Sequence, residues 1–357
     1  MDISVKNSLK IACIIISTVT GAGFASGQEI LQFFTVFRHG GFKGILLAGI
    51  LFFIVCYSVL NYIYTRKIDG YSNYINALTG KYTGYIIEFI VMLFLLSGFF
   101  IMIAGAGAFF SEFFGIKAIY GASLLSGLSC IVFLFDIKGL VNVNTVIAPV
   151  LIVGIFMIGI YIGAFTDSAA VFAYQRKLVN DWLSSSIVYV CYNSILLIAI
   201  LSNLRAYLDS KKTIFFGVLF GVGILIVMAL VMYFITNSFY SFALNYQMPV
   251  INIIKELQLP AGWAYGIVLL CAMFSSSVTS GFCFLNRISD LIPLGQKINA
   301  VIICLLALPL SVISFSGMIG WLYPVFGYLG LFQVIVAIFG GLSTKVYYLS
   351  FKDRRQG

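Results

Sequence analysis

Long apolar runs alternate with short polar breaks along the whole chain, at a spacing that suits repeated membrane crossings. Ten runs can be read, at approximately 8–36, 43–65, 83–112, 117–135, 140–165, 184–207, 213–236, 262–287, 298–315 and 319–344. Most hold about 20 residues, enough for a helix to cross ~30 Å of hydrocarbon. They are continuous and rich in Leu, Ile, Phe and Gly, with none of the ten-residue alternation of barrel strands, so helices are expected. The first and third runs are longer than a straight crossing requires, which predicts a tilt or a break. Between the seventh and eighth runs, "PVINIIKEL" is amphipathic and too short to span. It predicts a helix lying over the outer mouth.

Composition narrows the class. Apolar residues make up 61 % of 357, charged residues 9 %, and mean hydropathy is +1.07. A soluble domain carries about 25 % charged residues. So little charge cannot cover a water-facing surface, and the expected fold is an all-α integral membrane protein of about ten transmembrane helices. The apolar run near the N-terminus is expected to stay as the first crossing rather than to be removed as a signal peptide. The seven cysteines (13, 56, 130, 191, 271, 283 and 304) lie inside apolar runs, form no CxxC pair and have one histidine, His39, for company. They read as small buried side chains, with no zinc site or other cofactor implied.

Charge sets the orientation. With a cytoplasmic N-terminus, 15 of the 21 Lys and Arg residues fall on the inner side; Arg38, Lys43, Lys117, Arg176, Lys177 and Lys255 fall outside. The positive-inside rule then predicts a multi-pass protein of the plasma membrane with both termini cytoplasmic. The net charge of +9 is mostly this bias and calls for no nucleic acid. The basic stretch 345–357 reads as a short cytoplasmic tail that anchors the topology.

Three stretches carry candidate chemistry. In "TVTGAGFASGQEI", Gly21, Gly23 and Gly27 stand among Thr18, Thr20 and Ser26. Each glycine inside a helix costs about 1 kcal/mol relative to alanine, and a break near Gly21–Gly23 would leave two half-helices meeting at mid-membrane. Their free N–H groups suit a carboxylate and their free carbonyls a cation; close helix packing through small residues is the other use of such a pattern. In "AMFSSSVTSG", five hydroxyls occur in the six residues 275–280. Ser275 and Thr279 share one helix face, and Ser276 and Ser280 another. Such oxygens suit a small hard cation, or interhelical hydrogen bonding. In the sixth run, Tyr189, Tyr192, Asn193 and Ser194 place polar groups near the middle, without a Gly or Pro to break the helix. Two carboxylates, Glu29 and Glu88, fall in the interior of runs, and intramembrane acids are functional candidates. Glu29 lies beyond the glycine break, where it could gate entry or couple protons; Glu88 sits near an inner end, where interfacial water can solvate it.

The "GAGFASGQE" stretch resembles the signature region of a small amino acid permease family of the amino acid–polyamine–organocation superfamily. The resemblance runs over essentially the whole chain. It implies a leucine-transporter-like fold of two inverted five-helix repeats, residues 1–165 and 184–344, with discontinuous first and sixth helices. It further implies that backbone at Gly21, Ala22, Gly23, Phe24 and Ala25 binds a substrate carboxylate. Tyr189, Val190, Tyr192, Asn193 and Ser194 would receive the ammonium group. In sodium-coupled relatives an ion sits between the first and eighth helices, at positions matching Val19, Ala22, Ala272, Ser275 and Ser276. Some proton-coupled relatives place a lysine on the fifth helix instead, and 140–165 holds none. The expectation is therefore a secondary active transporter, and no enzyme, that imports a small zwitterion by Na⁺- or H⁺-coupled alternating access. Its partners are the lipid bilayer and a small-molecule substrate, with no obligate protein partner. The rival expectations are an amine or nucleobase carrier on the same fold, and a ligand sensor or ion-conducting subunit.

Overall fold

The computed structural model describes residues 4–134, 140–163, 181–260, 262–291, 295–310 and 313–353. Among the described residues, the apolar runs fall mostly on helices. In chain order these are α1 (Val5–Val19), α2 (Ala22–Ala25), α3 (Gln28–Phe33), α4 (His39–Arg66), α5 (Tyr71–Thr79), α6 (Lys81–Phe114), α7 (Ala118–Leu134), α8 (Leu140–Gly163), α9 (Trp182–Leu201), α10 (Lys211–Ser238), α11 (Tyr240–Ala243), α12 (Pro249–Glu256), α13 (Gly262–Leu291), α14 (Gln296–Leu310) and α15 (Phe315–Asp353). Among the described residues, six stretches are each long and apolar enough to cross a bilayer: α4, α6, α9, α10, Gly262–Ile288 and Phe315–Gly340. Ala118–Leu134, Pro149–Ile162 and Gln296–Pro309 are shorter apolar helices. The tail expected from 345 begins as a continuation of α15 to Asp353, and residues 354–357 lie outside the described residues.

Side chains at helix starts set several boundaries. Ser4, Asp181 and Ser210 each accept a hydrogen bond from a backbone N–H in the first turn, of α1, α9 and α10 respectively. A cap of this kind stabilises a helix by about 1 kcal/mol. The third run, expected to tilt or break, forms the unbroken 34-residue α6. At 1.5 Å per residue it is about 51 Å long, well beyond the hydrocarbon thickness, so its ends extend past the core or the helix tilts. The first run does break. Helix α5, unread in the sequence, lies between Gly70 and Gly80, both at positive φ, and Ser72 Oγ donates to Glu88 Oε1 on α6 at 2.5 Å.

Packing places the polar stretches inside. Helix α1 packs on α10 and α8, α4 on α9 and α10, and α9 on α15. A second group forms where α6 packs on α13 and α7, and α7 on α14. Ile50, Phe89, Leu124, Met157, Phe220, Leu305 and Phe339 face outward and exposed, as lipid-facing side chains must. Trp263 and Trp321 are exposed as well, and Trp263 packs edge-on against Phe113.

Candidate functional site

The first helix is interrupted twice. Helix α1 ends at Val19, Gly21 is extended with ψ −172°, and the single turn α2 follows. The second interruption is Ser26–Gly27, with Gly27 at φ 82°, a left-handed conformation that glycine adopts without penalty. A Cβ on Gly27 would also come within 2.7 Å of Val250 Cγ2 on α12. Ser26 Oγ donates to the Gly23 carbonyl at 3.0 Å and accepts from Gln28 N at 3.3 Å, so its hydroxyl bridges the second interruption.

The break opens on a partly open cavity of about 70 Å³. Thr18, Val19, Gly21 and Glu29 line it from the first helix; Phe94, Gly98 and Met102 from α6; Tyr192, Asn193 and Leu196 from α9. Ser276 and Ser280 of α13 and Tyr323 of α15 complete it. Five helices thus meet around one small hole of mixed polar and apolar lining. Glu29 is 3 % exposed, and its Oε2 accepts a hydrogen bond from the Tyr192 hydroxyl at 2.5 Å. The Tyr192 ring stacks on Tyr323 with centroids 4.4 Å apart and 21° between planes. Gly21 faces α13, where a Cβ would lie 3.5 Å from Ser276 Oγ.

The sequence candidates divide into two groups. Val19, Gly21, Tyr192, Asn193 and Ser276 line the cavity together with Glu29. Gly23 touches the site from behind, because the space where its side chain would be is filled by the Glu29 carboxylate. Phe24 is turned away, into a smaller apolar hollow with Phe34, Phe52 and Tyr189. The Ala25 carbonyl is taken by the Tyr265 hydroxyl at 2.5 Å, and the Ala22 carbonyl by Ser26 N at 2.8 Å. Ala22, Ala272 and Ser275 are buried beside the cavity and not on its wall. Val190 and Ser194 are buried within α9, and among the described residues neither Ser194 Oγ nor the Tyr189 hydroxyl has a hydrogen-bond partner.

One expectation is corrected. The sixth helix is continuous from Trp182 to Leu201 and is not broken at Tyr189–Ser194. Its sequence has no Gly or Pro there, and a continuous helix engages its interior carbonyls with the N–H groups four residues on. Asn193 adds a further bond, Nδ2 donating to the Tyr189 carbonyl at 3.0 Å. Carbonyls near 190–194 are therefore not presented for an ammonium group.

The sequence reading missed Tyr323, Phe94, Gly98 and Met102. Each lies in an apolar run where nothing in the local pattern marks it; only the packing of α15 and α6 against α9 and α13 brings it to the site. Ser280 was legible as part of the hydroxyl cluster. Ser277 of that cluster serves packing instead, with its Oγ 3.0 Å from Ser129 Oγ on α7.

No protein-family model matches the chain. Over 349 residues it is 29 % identical to the uncharacterized membrane protein YkvI of Bacillus subtilis, covering 97 % of this chain and 98 % of that one. Among solved structures it is similar to the manganese transporter of Eremococcus coleocola, with a TM-score of 0.64 and 15 % identity over 93 % of this chain and 78 % of that one. A Na⁺-coupled sialic acid symporter, in a substrate-bound outward-open state, matches with a TM-score of 0.63 and 14 % identity over the same shares. The chain has the leucine-transporter-like fold. Solutes as unlike as a metal ion and a sugar acid are carried on it, so the fold does not choose the substrate.

Proposed function

We propose that the protein is a secondary active transporter that imports a small zwitterion, an amino acid, by alternating access coupled to Na⁺ or H⁺. The observation that carries this reading is the twice-interrupted first helix opening on a cavity of mixed polar and apolar lining between five helices. Irregular backbone at that depth is tolerated where it lines a cavity. A broken helix there serves binding in carriers of this fold class.

The helix packing supports two inverted repeats. Matching the elements of 1–165 with those of 184–344 in order pairs α1 with α9, α4 with α10, α6 with α13, α7 with α14 and α8 with α15. Under that exchange the contact of α1 with α10 becomes that of α9 with α4, and both are present. The contacts of α8 with α13 and of α15 with α6 are likewise exchanged, and so are those of α7 with α13 and of α14 with α6. Both termini then lie on one side, the cytoplasmic side by the lysine and arginine bias. For the coupling ion, the hydroxyl of Ser276 faces the break at Gly21, which supports Na⁺ between the first and eighth spans. Glu29 supports H⁺ as the alternative.

A thermal-shift screen of the detergent-purified protein against the amino acids, with and without Na⁺, tests this reading. A ligand at 100 times its Kd stabilises the protein by about 2.7 kcal/mol. The expected result is a shift with one side-chain class, enlarged by Na⁺ or, for proton coupling, changed by pH and not by Na⁺. Binding indifferent to both ions would remove the basis for a coupled carrier and favour a sensor.

A further inference from the structure

Glu29 gives the cavity a polarity that the broken helix alone does not. Among the described residues lining it, Glu29 is the one acid, and there is no Lys, Arg or His. A carboxylate enclosed in protein at membrane depth has to be balanced by a cation, a proton or hydrogen-bond donors. The Tyr192 hydroxyl supplies one donor, to Oε2. The rest of the carboxylate lies against Gly23, at the point where the resemblance implies a substrate carboxylate. Two anions at that point would repel each other. The other end implied for an ammonium group, the carbonyls of α9, is closed because the helix is continuous. The Glu29 end of the cavity therefore suits a positive group, contrary to that expectation.

We propose that Glu29 is the anchor for a substrate ammonium group, so that the solute is a primary amine and, if an amino acid, is held amine-first. This rests on the carrier reading and adds to it the identity of the group recognised. The ammonium pairs with the carboxylate, while Tyr192 and Tyr323, stacked on each other, line the cavity beside it. Thr18, Ser276 and Ser280 supply hydroxyls for the remainder of the molecule. The cavity is small, about 70 Å³. That suits a charged head group on a short chain.

The test compares three versions of one molecule: L-alanine, ethylamine, which lacks the carboxylate, and propionate, which lacks the amine. L-leucine, isoamylamine and 4-methylpentanoate form a second series with a longer chain. Binding of each to the full-length detergent-purified protein is followed by thermal shift and calorimetry. In at least one series the amino acid and the amine should bind and the carboxylate should not. Glu29→Gln, which preserves shape and removes the charge, should weaken amine binding at least tenfold. Tyr192→Phe, which removes only the hydroxyl that fixes the carboxylate, should weaken it severalfold and keeps the test open should Glu29→Gln fold poorly. Amine or amino acid binding unchanged in both variants overturns the anchor and leaves the carrier reading standing. Propionate or 4-methylpentanoate binding where the amine does not overturns it as well. Failure of all six probes on the wild-type protein overturns the anchor for aliphatic solutes, and the full amino acid screen then decides whether the carrier reading stands.

Discussion

A methyl group on Gly23 would overlap the Glu29 carboxylate and come within 2.9 Å of its Cγ and Cδ. The two residues form a matched pair, in which the missing side chain of one makes room for the acid of the other. Gly23→Ala should therefore push Glu29 out of its hydrogen bond with Tyr192, at a cost of about 1–3 kcal/mol for overpacking. Ligand affinity should fall at least tenfold, or about 1.4 kcal/mol, while membrane insertion persists. Parallel measurement of apparent melting and ligand-induced shift separates the two effects, and an undiminished ligand shift would contradict the pairing. The glycines and the acid were legible in the sequence, because Gly, Thr and Ser inside an apolar run stand out against Leu and Ile. Their mutual contact was not, since six residues of separation fix a face only if the helix is regular, and here it is interrupted twice.

The same contrast holds for whole elements. The break in the first helix could be anticipated because glycine weakens helices locally, a cost carried in the sequence itself. The expected break in the sixth had no such local cause, and α9 remains whole. Helix α12 was legible from its amphipathic pattern and from Pro249, which occupies its first turn. What holds α12 in place was not. Glu112, at the end of α6, accepts hydrogen bonds from Gln247 N at 2.7 Å, Met248 N at 2.9 Å and Asn252 Nδ2 at 2.7 Å. Val250 N donates in turn to the Ser26 carbonyl at 3.1 Å, so α12 rests directly on the second interruption of the first helix. Bonds to a charged group are worth about 1.5–3 kcal/mol each. Glu112→Ala should thus loosen α12 and speed amide hydrogen exchange in Pro249–Glu256 by tenfold or more, with α1 unaffected. Unchanged protection there would mean that apolar packing alone retains the helix.

For the molecule as a whole, alternating access requires one side to be shut when the other is open. Under the proposed orientation the outer side is covered by α12, which joins helices of both packing groups. Glu112 ties it to α6, and Gln247 Oε1 accepts from Phe315 N at the start of α15 at 2.6 Å. Ser26 ties it to the first helix. Opening outward must break the bonds to at least one group, so the pair Glu112 and Asn252 is placed to report the motion. Cysteines at these two positions, joined by a short bifunctional thiol reagent, should hold α12 down. The seven native cysteines all lie in apolar runs, and a version carrying Ser or Ala at those positions removes their background. The expected outcome in proteoliposomes is loss of uptake on cross-linking and its return when a reducible linker is cleaved. Ligand binding from the inner side should persist, because the cavity lining is untouched. Uptake that continues at full rate in the cross-linked protein would show that solute does not pass beneath α12, and the outer path would have to lie elsewhere. The Glu112→Cys variant alone, which removes the carboxylate and its three bonds without cross-linking, supplies the control. It should keep uptake and lose only the protection of α12, so that blockage can be assigned to the restraint and not to the lost carboxylate.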